Sequence, residues 1–324
     1  MILQKPLVHG RLQLKSRLVI PPMATQSSEH DLPGRATIAH YQKMAGNPLA
    51  GLLFTEHHYI DMQGKADPYQ LSFASDKVIP YQQKLTAAVR AVNPELRFFA
   101  QINHAGINTS SYITGEKMVS ASALSTGSGT SRALPAEEIL QLEEKFAAAA
   151  RRVKEAGYDG VEIHAAHGYL LNQFYSPLTN YRTDAYGPQN IETRLRFLTE
   201  TIAAVRRAVG ADFPVAVRLG GCDYMEGGST IEDAVRAAKI LSSLDIDLLD
   251  LSGGLHIYTR PGHSEAGWFA DMTTAVKAAT SLPVILTGGV RTPQQAEELL
   301  QRKAADLIGV GRAMLRNPAW GVDA

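Results

Sequence analysis

The feature of this sequence that most constrains its fold is an alternation of short apolar runs with longer amphipathic, alanine-rich segments. Eight short runs rich in β-branched residues and leucine have the length and composition of strands. They are mostly apolar throughout, as expected of strands buried on both faces of a parallel sheet. Repeated βα units of this kind indicate such a sheet, covered by helices. The predicted strands are Leu18–Pro21, Gly51–Thr55, Arg97–Ile102, Gly160–His164, Val215–Leu219, Leu248–Leu251, Val284–Leu286 and Leu307–Ile308.

Eight parallel strands close most naturally into a (β/α)8 TIM barrel, and we predict a single α/β domain of this kind over residues 1–324. A doubly wound open sheet usually has five or six strands and a glycine-rich first turn. Here the first turn is Pro22-Met23-Ala24-Thr25, and the sequence contains neither a Gly-x-Gly-x-x-Gly nor a P-loop motif. The clearest predicted helices are Val78–Val92, Ala136–Ala156, Ile191–Val209, Ile231–Leu244, Phe269–Thr280 and Pro293–Arg302.

Composition excludes several classes of function. Lys+Arg and Asp+Glu both number 32, so there is no basic surplus of the kind that marks nucleic-acid or membrane-surface binding. The single cysteine, Cys222, excludes an internal disulfide, a cysteine-based zinc site and a cysteine-ligated iron–sulfur cluster. No apolar run approaches the ~20 residues needed to cross a bilayer, and the N-terminus lacks the apolar stretch of a signal peptide. We therefore expect a cytoplasmic protein whose partner is a small molecule.

Polar residues follow the predicted strands at their carboxyl ends, where the active sites of such barrels lie. His57 follows the second strand, and Gln101 and Arg218 end the third and fifth strands. Gln offers a donor and an acceptor together, as an amide-like ring edge requires, and Arg is a fixed positive charge. A redox-active heterocycle fits both demands, although either residue could belong to a structural polar network instead.

Two imidazoles and a phenol follow the fourth predicted strand in His164-Ala165-Ala166-His167-Gly168-Tyr169. One interpretation is a metal site with Glu162 as a third ligand. A second is a neutral pair that binds a substrate oxygen on which negative charge develops, with Tyr169 as a proton donor. A third is a pair of core histidines bonded to the backbone.

Glycine-rich turns follow the last two predicted strands. Gly288-Gly289 comes after the seventh, and Gly309-Val310-Gly311-Arg312 after the eighth. Loops at these two places commonly bind phosphate through backbone N–H groups, and Arg312 would add a cation. The alternative is a tight turn and an arginine that caps a surface helix. Two long loops, 105–133 and 252–268, are predicted to overhang the mouth of the barrel.

Taken together, these residues resemble the old yellow enzyme family of FMN-dependent ene-reductases, in particular its bacterial NADH:flavin oxidoreductase branch. The most specific part is residues 162–187, EIHAAHGYLLNQFYSPLTNYRTDAYG. Pro21-Pro22-Met23, Gln101-Ile102-Asn103-His104-Ala105-Gly106 and Gly309-Val310-Gly311-Arg312 match in order and spacing. Ala24 and Gln26 depart from a subgroup that carries cysteine and tyrosine there, and Thr193 departs from the usual asparagine.

The resemblance implies FMN across the mouth of the barrel. The backbone of Pro22, Met23 and Ala24 would contact the isoalloxazine, Gln101 its pyrimidine edge and Arg218 its N1/O2 region. The phosphate would bind at Gly288, Gly289, Gly311 and Arg312. His57 stands where relatives often carry a small residue, so its flavin contact is the weakest inference. His164 and His167 would bind the substrate carbonyl, and Tyr169 would donate the proton; no metal is expected.

The implied activity is ping-pong transfer of hydride from NADH or NADPH, through flavin N5, to the C=C bond of an α,β-unsaturated carbonyl compound. A homo-oligomer is left open. One alternative is an NADH oxidase or flavin reductase without a dedicated enone substrate. Others are a sensory flavin barrel and a flavin-free aldolase or isomerase, which would need a lysine or carboxylate at a strand end. Glu56 is the only exposed carboxylate candidate for that role.

Overall fold

The structure is a computed structural model that describes residues 1–255 and 257–322, so His256, Asp323 and Ala324 lie outside the described residues. Eight parallel strands close into a barrel in the order β3-β4-β5-β10-β11-β12-β13-β14, and helices lie between them, which confirms the predicted (β/α)8 fold. The strands are β1 Leu7–His9, β2 Leu12–Leu14, β3 Leu18–Ile20, β4 Ala50–Tyr59, β5 Arg97–Asn103, β6 Val119–Ser120, β7 Ser125–Thr126, β8 Gly129–Thr130, β9 Arg132–Ala133, β10 Gly160–Ala165, β11 Val215–Cys222, β12 Leu248–Gly253, β13 Val284–Thr287 and β14 Leu307–Gly309. The helices are α1 Arg35–Ala45, α2 Ile79–Val92, α3 Ser111–Thr114, α4 Ala136–Glu155, α5 Leu170–Tyr175, α6 Ile191–Val209, α7 Ile231–Ser242, α8 Ala270–Lys277, α9 Pro293–Gln301 and α10 Arg312–Arg316, with short 3-10 turns at Ile2–Gln4, Met62–Gly64 and Asp76–Val78.

Seven of the eight barrel strands extend further toward their carboxyl ends than the sequence predicts, whereas β3 ends at Ile20, one residue before the predicted Pro21. The largest difference is at β4, which is predicted as Gly51–Thr55 and observed as Ala50–Tyr59. The prediction stopped at the first polar residue, whereas inside the barrel Glu56, His57 and His58 still belong to the strand. Helix α6 has the predicted bounds, and its Asn190–Thr193 capping box shows that threonine serves the helix start.

Several elements are absent from the sequence-based prediction. Helices α1, α5 and α10 are not among its clearest helices, since α1 buries only a few side chains, α5 has six residues and α10 has five. The segment 105–133, predicted as a loop, contains α3 and the short strands β6 to β9. An N-terminal hairpin is also absent from the prediction.

That hairpin, β1 paired antiparallel with β2, closes the end of the barrel where the strands begin. Its leucines Leu7, Leu12 and Leu14 are buried in one cluster with Phe54 and Phe99, which point into the barrel. An apolar plug at this end leaves the opposite mouth as the place for polar chemistry.

Register between neighbouring strands sets which polar side chains meet at that mouth. Gln101 on β5 pairs with Glu162 on β10, and His164 on β10 pairs with Arg218 on β11. Arg218 in turn pairs with Asp250 on β12, and His57 on β4 pairs with Gln101.

Among the described residues, no helix is both long and apolar enough to cross a membrane.

We predict that Leu12→Ala destabilises the protein by about 2–5 kcal/mol, because it leaves a cavity in the plug of the barrel. Leu12 is 1% exposed, whereas Val8 on the same hairpin is 72% exposed. Val8→Ala, the matched control, should change the free energy of unfolding by no more than about 0.5 kcal/mol. Urea unfolding followed by circular dichroism measures both, and equal effects would contradict the assignment of Leu12 to the plug.

Candidate active site

A cavity of about 850 Å³ opens at the carboxyl ends of the barrel strands. Every residue that the sequence predicts for the site lines this one cavity. The lining includes Pro22, Met23, Ala24, His57, Gln101, His164, His167, Tyr169, Arg218, Gly288, Gly289, Gly311 and Arg312.

His164, His167 and Tyr169 form a compact cluster of rings on one wall of the cavity. The ring centroids of His164 and His167 lie 5.1 Å apart, and those of His164 and Tyr169 lie 5.0 Å apart. The backbone N–H of Ala166 donates to His164 Nδ1, so a neutral His164 carries its proton on Nε2. His167 Nε2 lies 2.7 Å from Ser252 Oγ, which leaves its Nδ1 for a ligand.

A strained turn presents this cluster. His167 and Gly168 both have left-handed backbones, with φ of +60° and +69°. Gly168 is held on both sides, because its N–H donates to Asn172 Oδ1 and its carbonyl accepts from Gln173 Nε2 at 2.6 Å. A third bond comes from Asn108 Nδ2, the contribution of the 105–133 segment. The turn therefore fixes the two imidazoles and Tyr169 relative to one another.

Burial sets the protonation of these groups. It lowers the pKa of His164 and of His167 well below the ordinary histidine value, and Arg218 acts in the same direction on both. Burial raises the pKa of Tyr169 to about 12. Near neutral pH the site therefore holds two neutral imidazoles and a phenol that retains its proton.

Two carboxyl groups lie behind the residues expected to face a heterocycle. Gln101 Nε2 donates to Glu162 Oε2 at 2.6 Å, which leaves Gln101 Oε1 as an acceptor without a protein partner among the described residues. Arg218 Nε lies 3.2 Å from Asp250 Oδ2, and both side chains are almost fully buried. Burial raises the pKa of Glu162 well above its usual range and that of Asp250 to about 6. Glu162 is thus the hydrogen-bond acceptor that orients the Gln101 amide.

Glu56 holds the turn after β3. Its carboxylate accepts from the backbone N–H of Thr25 at 3.1 Å and from Thr25 Oγ1 at 2.6 Å. Glu56 is 2% exposed and is absent from the cavity lining, so the expectation of an exposed carboxylate there is wrong. Glu56 is buried against Tyr41, whose hydroxyl donates to its carboxylate. The sequence therefore loses its one candidate base for a flavin-free aldolase or isomerase.

The opposite end of the cavity offers unpaired donors. The N–H groups of Gly289 and Gly311 and the buried Nε1 of Trp268 have no protein acceptor within the described residues. The Arg312 guanidinium lies 5.4 Å from the centroid of the Trp268 ring and forms no ion pair with any of residues 1–255 and 257–322. A Cβ on Gly289 would lie 2.3 Å from the carbonyl oxygen of Glu265, so glycine is also required for packing.

These donors fit FMN at both ends of the molecule. The N–H groups of Gly289 and Gly311 and the Arg312 guanidinium match a phosphate, and Gln101 Oε1 with Arg218 matches the polar edge of an isoalloxazine. A metal fits less well, because no group of three His, Cys, Asp or Glu side chains among the described residues could hold one.

Three contributors to the site were missed at the sequence level. Asp250 is a charge inside an apolar strand, a signal that was available, whereas Ser252 and Gln70 act through contacts that no local pattern indicates. The 252–268 segment adds Ile257, Tyr258 and Trp268 to the lining, as predicted for a loop over the mouth.

Comparison with known proteins agrees with this geometry. The sequence profile of the NADH:flavin oxidoreductase / NADH oxidase family matches residues 3–324. An NADPH dehydrogenase of Halalkalibacterium halodurans is 36% identical over 312 residues, which cover 95% of this chain and 89% of that protein. An NADH oxidase of Thermoanaerobacter brockii is 35% identical over 319 residues, and the chain spans only 48% of that longer protein.

A solved structure gives the same relationship. The old yellow enzyme homologue from Zymomonas mobilis superimposes with a TM-score of 0.84 at 28% sequence identity, over 98% of this chain and 90% of that one. With the family profile covering nearly the whole sequence and the barrel, cavity and donors in place, the chain belongs to the old yellow enzyme family of NADH:flavin oxidoreductases.

Proposed function

We propose that this chain is an FMN-dependent NAD(P)H oxidoreductase that reduces the activated C=C bond of α,β-unsaturated carbonyl compounds in a ping-pong cycle. The observation that carries the proposal is the ring cluster of His164, His167 and Tyr169 on the wall of a cavity whose other walls fit FMN. Bound FMN would supply the redox chemistry, since it takes up a hydride from NAD(P)H and later gives one to the acceptor.

His164 and His167 bind the carbonyl oxygen of the acceptor. Both imidazoles are neutral, and the Nε2–H of His164 and the Nδ1 side of His167 are available to a ligand. For His167 to donate from Nδ1, the hydroxyl of Ser252 must donate to Nε2. Two fixed N–H donors stabilise the negative charge that grows on the oxygen as hydride reaches the β-carbon.

Tyr169 is the proton donor to the α-carbon. Its ring lies 5.0 Å from that of His164, so an acceptor bound to the imidazoles is within reach of the phenol. Because burial raises its pKa to about 12, the proton is present at any physiological pH. Arg218, which lines the same cavity, would supply a positive charge to the polar edge of bound FMN and so favour its reduction.

An NADH oxidase or flavin reductase without a dedicated enone substrate is the nearest alternative, since the same imidazoles accommodate a nicotinamide. NADH or NADPH is the proposed reductant. A reducing, cytoplasmic location is proposed from the lone, buried Cys222.

We expect bound flavin absorbance to bleach when NADH or NADPH is added anaerobically and to return when cyclohex-2-enone follows. Each half of the cycle is then seen separately, as a ping-pong scheme requires. Return only on admitting oxygen would favour the oxidase, and a protein that takes up no FMN would contradict the cofactor assignment.

His164→Ala should slow reoxidation by enone about 10²–10³-fold, because it removes one of two donors to the developing oxyanion. The rate of flavin reduction by NAD(P)H should change far less, since no enone oxygen gains charge in that half-reaction. Stopped-flow absorbance measures the two half-reactions independently. His9→Ala, at the plugged end of the barrel, is the matched control. Similar losses in both half-reactions would refute the assigned role.

Tyr169→Phe should slow reoxidation by enone about 10²–10⁴-fold and leave flavin reduction nearly unchanged, because only the donated proton is lost. The ring contacts with His57 and His164 are retained. Since the pKa of Tyr169 is about 12, the wild-type rate should show no loss from tyrosine ionisation below about pH 11. Tyr112→Phe, at a 95% exposed position, is the control. A full rate in Tyr169→Phe would assign the proton to another group.

A further inference from the structure

His57 is a third imidazole in the wall of the cavity, and two amides hold its ring. Its Nδ1 lies 3.1 Å from Gln70 Nε2 and 3.0 Å from Asn103 Nδ2. Gln70 and Asn103 are almost completely buried, so neither amide can exchange these contacts for water.

The orientation of Gln70 is fixed by backbone groups on both sides of its amide. Its Oε1 accepts from the backbone N–H of Ala66 at 2.6 Å, and its Nε2 donates to the carbonyl oxygen of His57 at 3.1 Å. A flipped amide would place N–H against N–H and oxygen against oxygen. Gln70 therefore presents an N–H to His57 Nδ1, and that nitrogen must be an acceptor.

A neutral ring whose Nδ1 accepts carries its hydrogen on Nε2. Protonation of Nδ1 would set an N–H against two donors, and burial together with Arg218 lowers the pKa of His57 to about 4. The amide of Asn103 follows the same choice, because its oxygen would need a hydrogen on Nδ1 that Gln70 excludes.

Both hydrogen bonds of the His57 ring use Nδ1, so its Nε2–H has no protein acceptor within the described residues. The ring lines the cavity, with its centroid 5.2 Å from that of Tyr169 and 6.2 Å from that of His164. It also pairs in register with Gln101. The His57 ring thus lies beside Tyr169, the proposed proton donor, on the strand next to that of Gln101.

We propose that His57 is a third fixed N–H donor of the site, which binds a carbonyl oxygen of the ligand, and that Gln70 and Asn103 are positioning residues that set its tautomer. Two ligands carry such an oxygen: the pyrimidine ring of the flavin, and an unsaturated substrate with a second carbonyl group. The substrate arm rests on the proposed function, whereas the tautomer and the flavin arm do not.

The tautomer is tested by ¹⁵N nuclear magnetic resonance of the FMN-loaded protein labelled at histidine, with the signal identified by its loss in His57→Leu. We expect a proton on Nε2 and none on Nδ1. Gln70→Glu replaces the N–H donor by an acceptor of the same shape and should place a proton on Nδ1. Gln63→Glu adds the same charge outside the cavity and should leave the signal unchanged. A proton on Nδ1 in the wild type would overturn the proposal.

The acceptor oxygen is identified with His57→Leu, which removes the donor, and His57→Gln, which places an N–H at a similar reach. Loss of one neutral hydrogen bond corresponds to a change of about threefold to tenfold. For the flavin this appears in the ratio of affinities for reduced and oxidised FMN, where tenfold is about 30 mV in midpoint potential. For a substrate it appears as weaker binding of cyclohex-2-ene-1,4-dione, but not of cyclohex-2-enone, to the oxidised enzyme.

Either change, reversed in His57→Gln, supports the proposal and names the source of the oxygen. No change in either measurement, or a glutamine variant no better than leucine, would show that His57 acts only through its bulk. None of these readouts requires turnover, so a chain that reduces no enone would contradict the proposed function without affecting them.

Discussion

Closure of the eight-stranded barrel is the constraint on which the site depends. Because parallel strands enter the barrel from one end, their carboxyl termini must meet at the other, and side chains far apart in sequence share one mouth. The register then sets the neighbours: Gln101 with Glu162, and Arg218 with both His164 and Asp250. A one-residue slip would turn these side chains to the opposite face, so the arrangement of the polar site depends on this register.

Desolvation at that mouth is what gives the residues their chemical character. In water His57, His164 and His167 would titrate near neutrality, whereas burial and the fixed charge of Arg218 keep them neutral. The same burial would make a lone guanidinium costly, and Asp250 offsets that cost at 3.2 Å. Positive charge is thus held at Arg218, whereas the three histidines of the cavity wall stay neutral.

The family resemblance supplied Pro22, Met23, Ala24 and His57, which line the cavity. Sequence reasoning from periodicity and strand ends predicted the barrel and the site residues Gln101, His164 and Arg218, which line it too. It stopped β4 too early because a polar residue inside a barrel looks the same as one after a strand. It could not see that Glu56 is buried, since its partner Thr25 is thirty-one residues away. Nor could it find Gln70, because its role depends on hydrogen bonds from its side-chain amide to the carbonyl oxygen of His57 and from the backbone N–H of Ala66.

In the proposed ping-pong cycle one site binds two ligands in turn, and neutral donors suit such a site. A histidinium would bind any oxygen tightly before reaction, and binding that is equally strong in the ground state adds nothing to the chemical step. A neutral N–H with a fixed direction interacts weakly with a carbonyl and more strongly as charge develops on it. The Ala166 N–H that fixes His164 and the Gln70 amide that fixes His57 therefore do the same physical work: each removes the choice of tautomer before a ligand arrives.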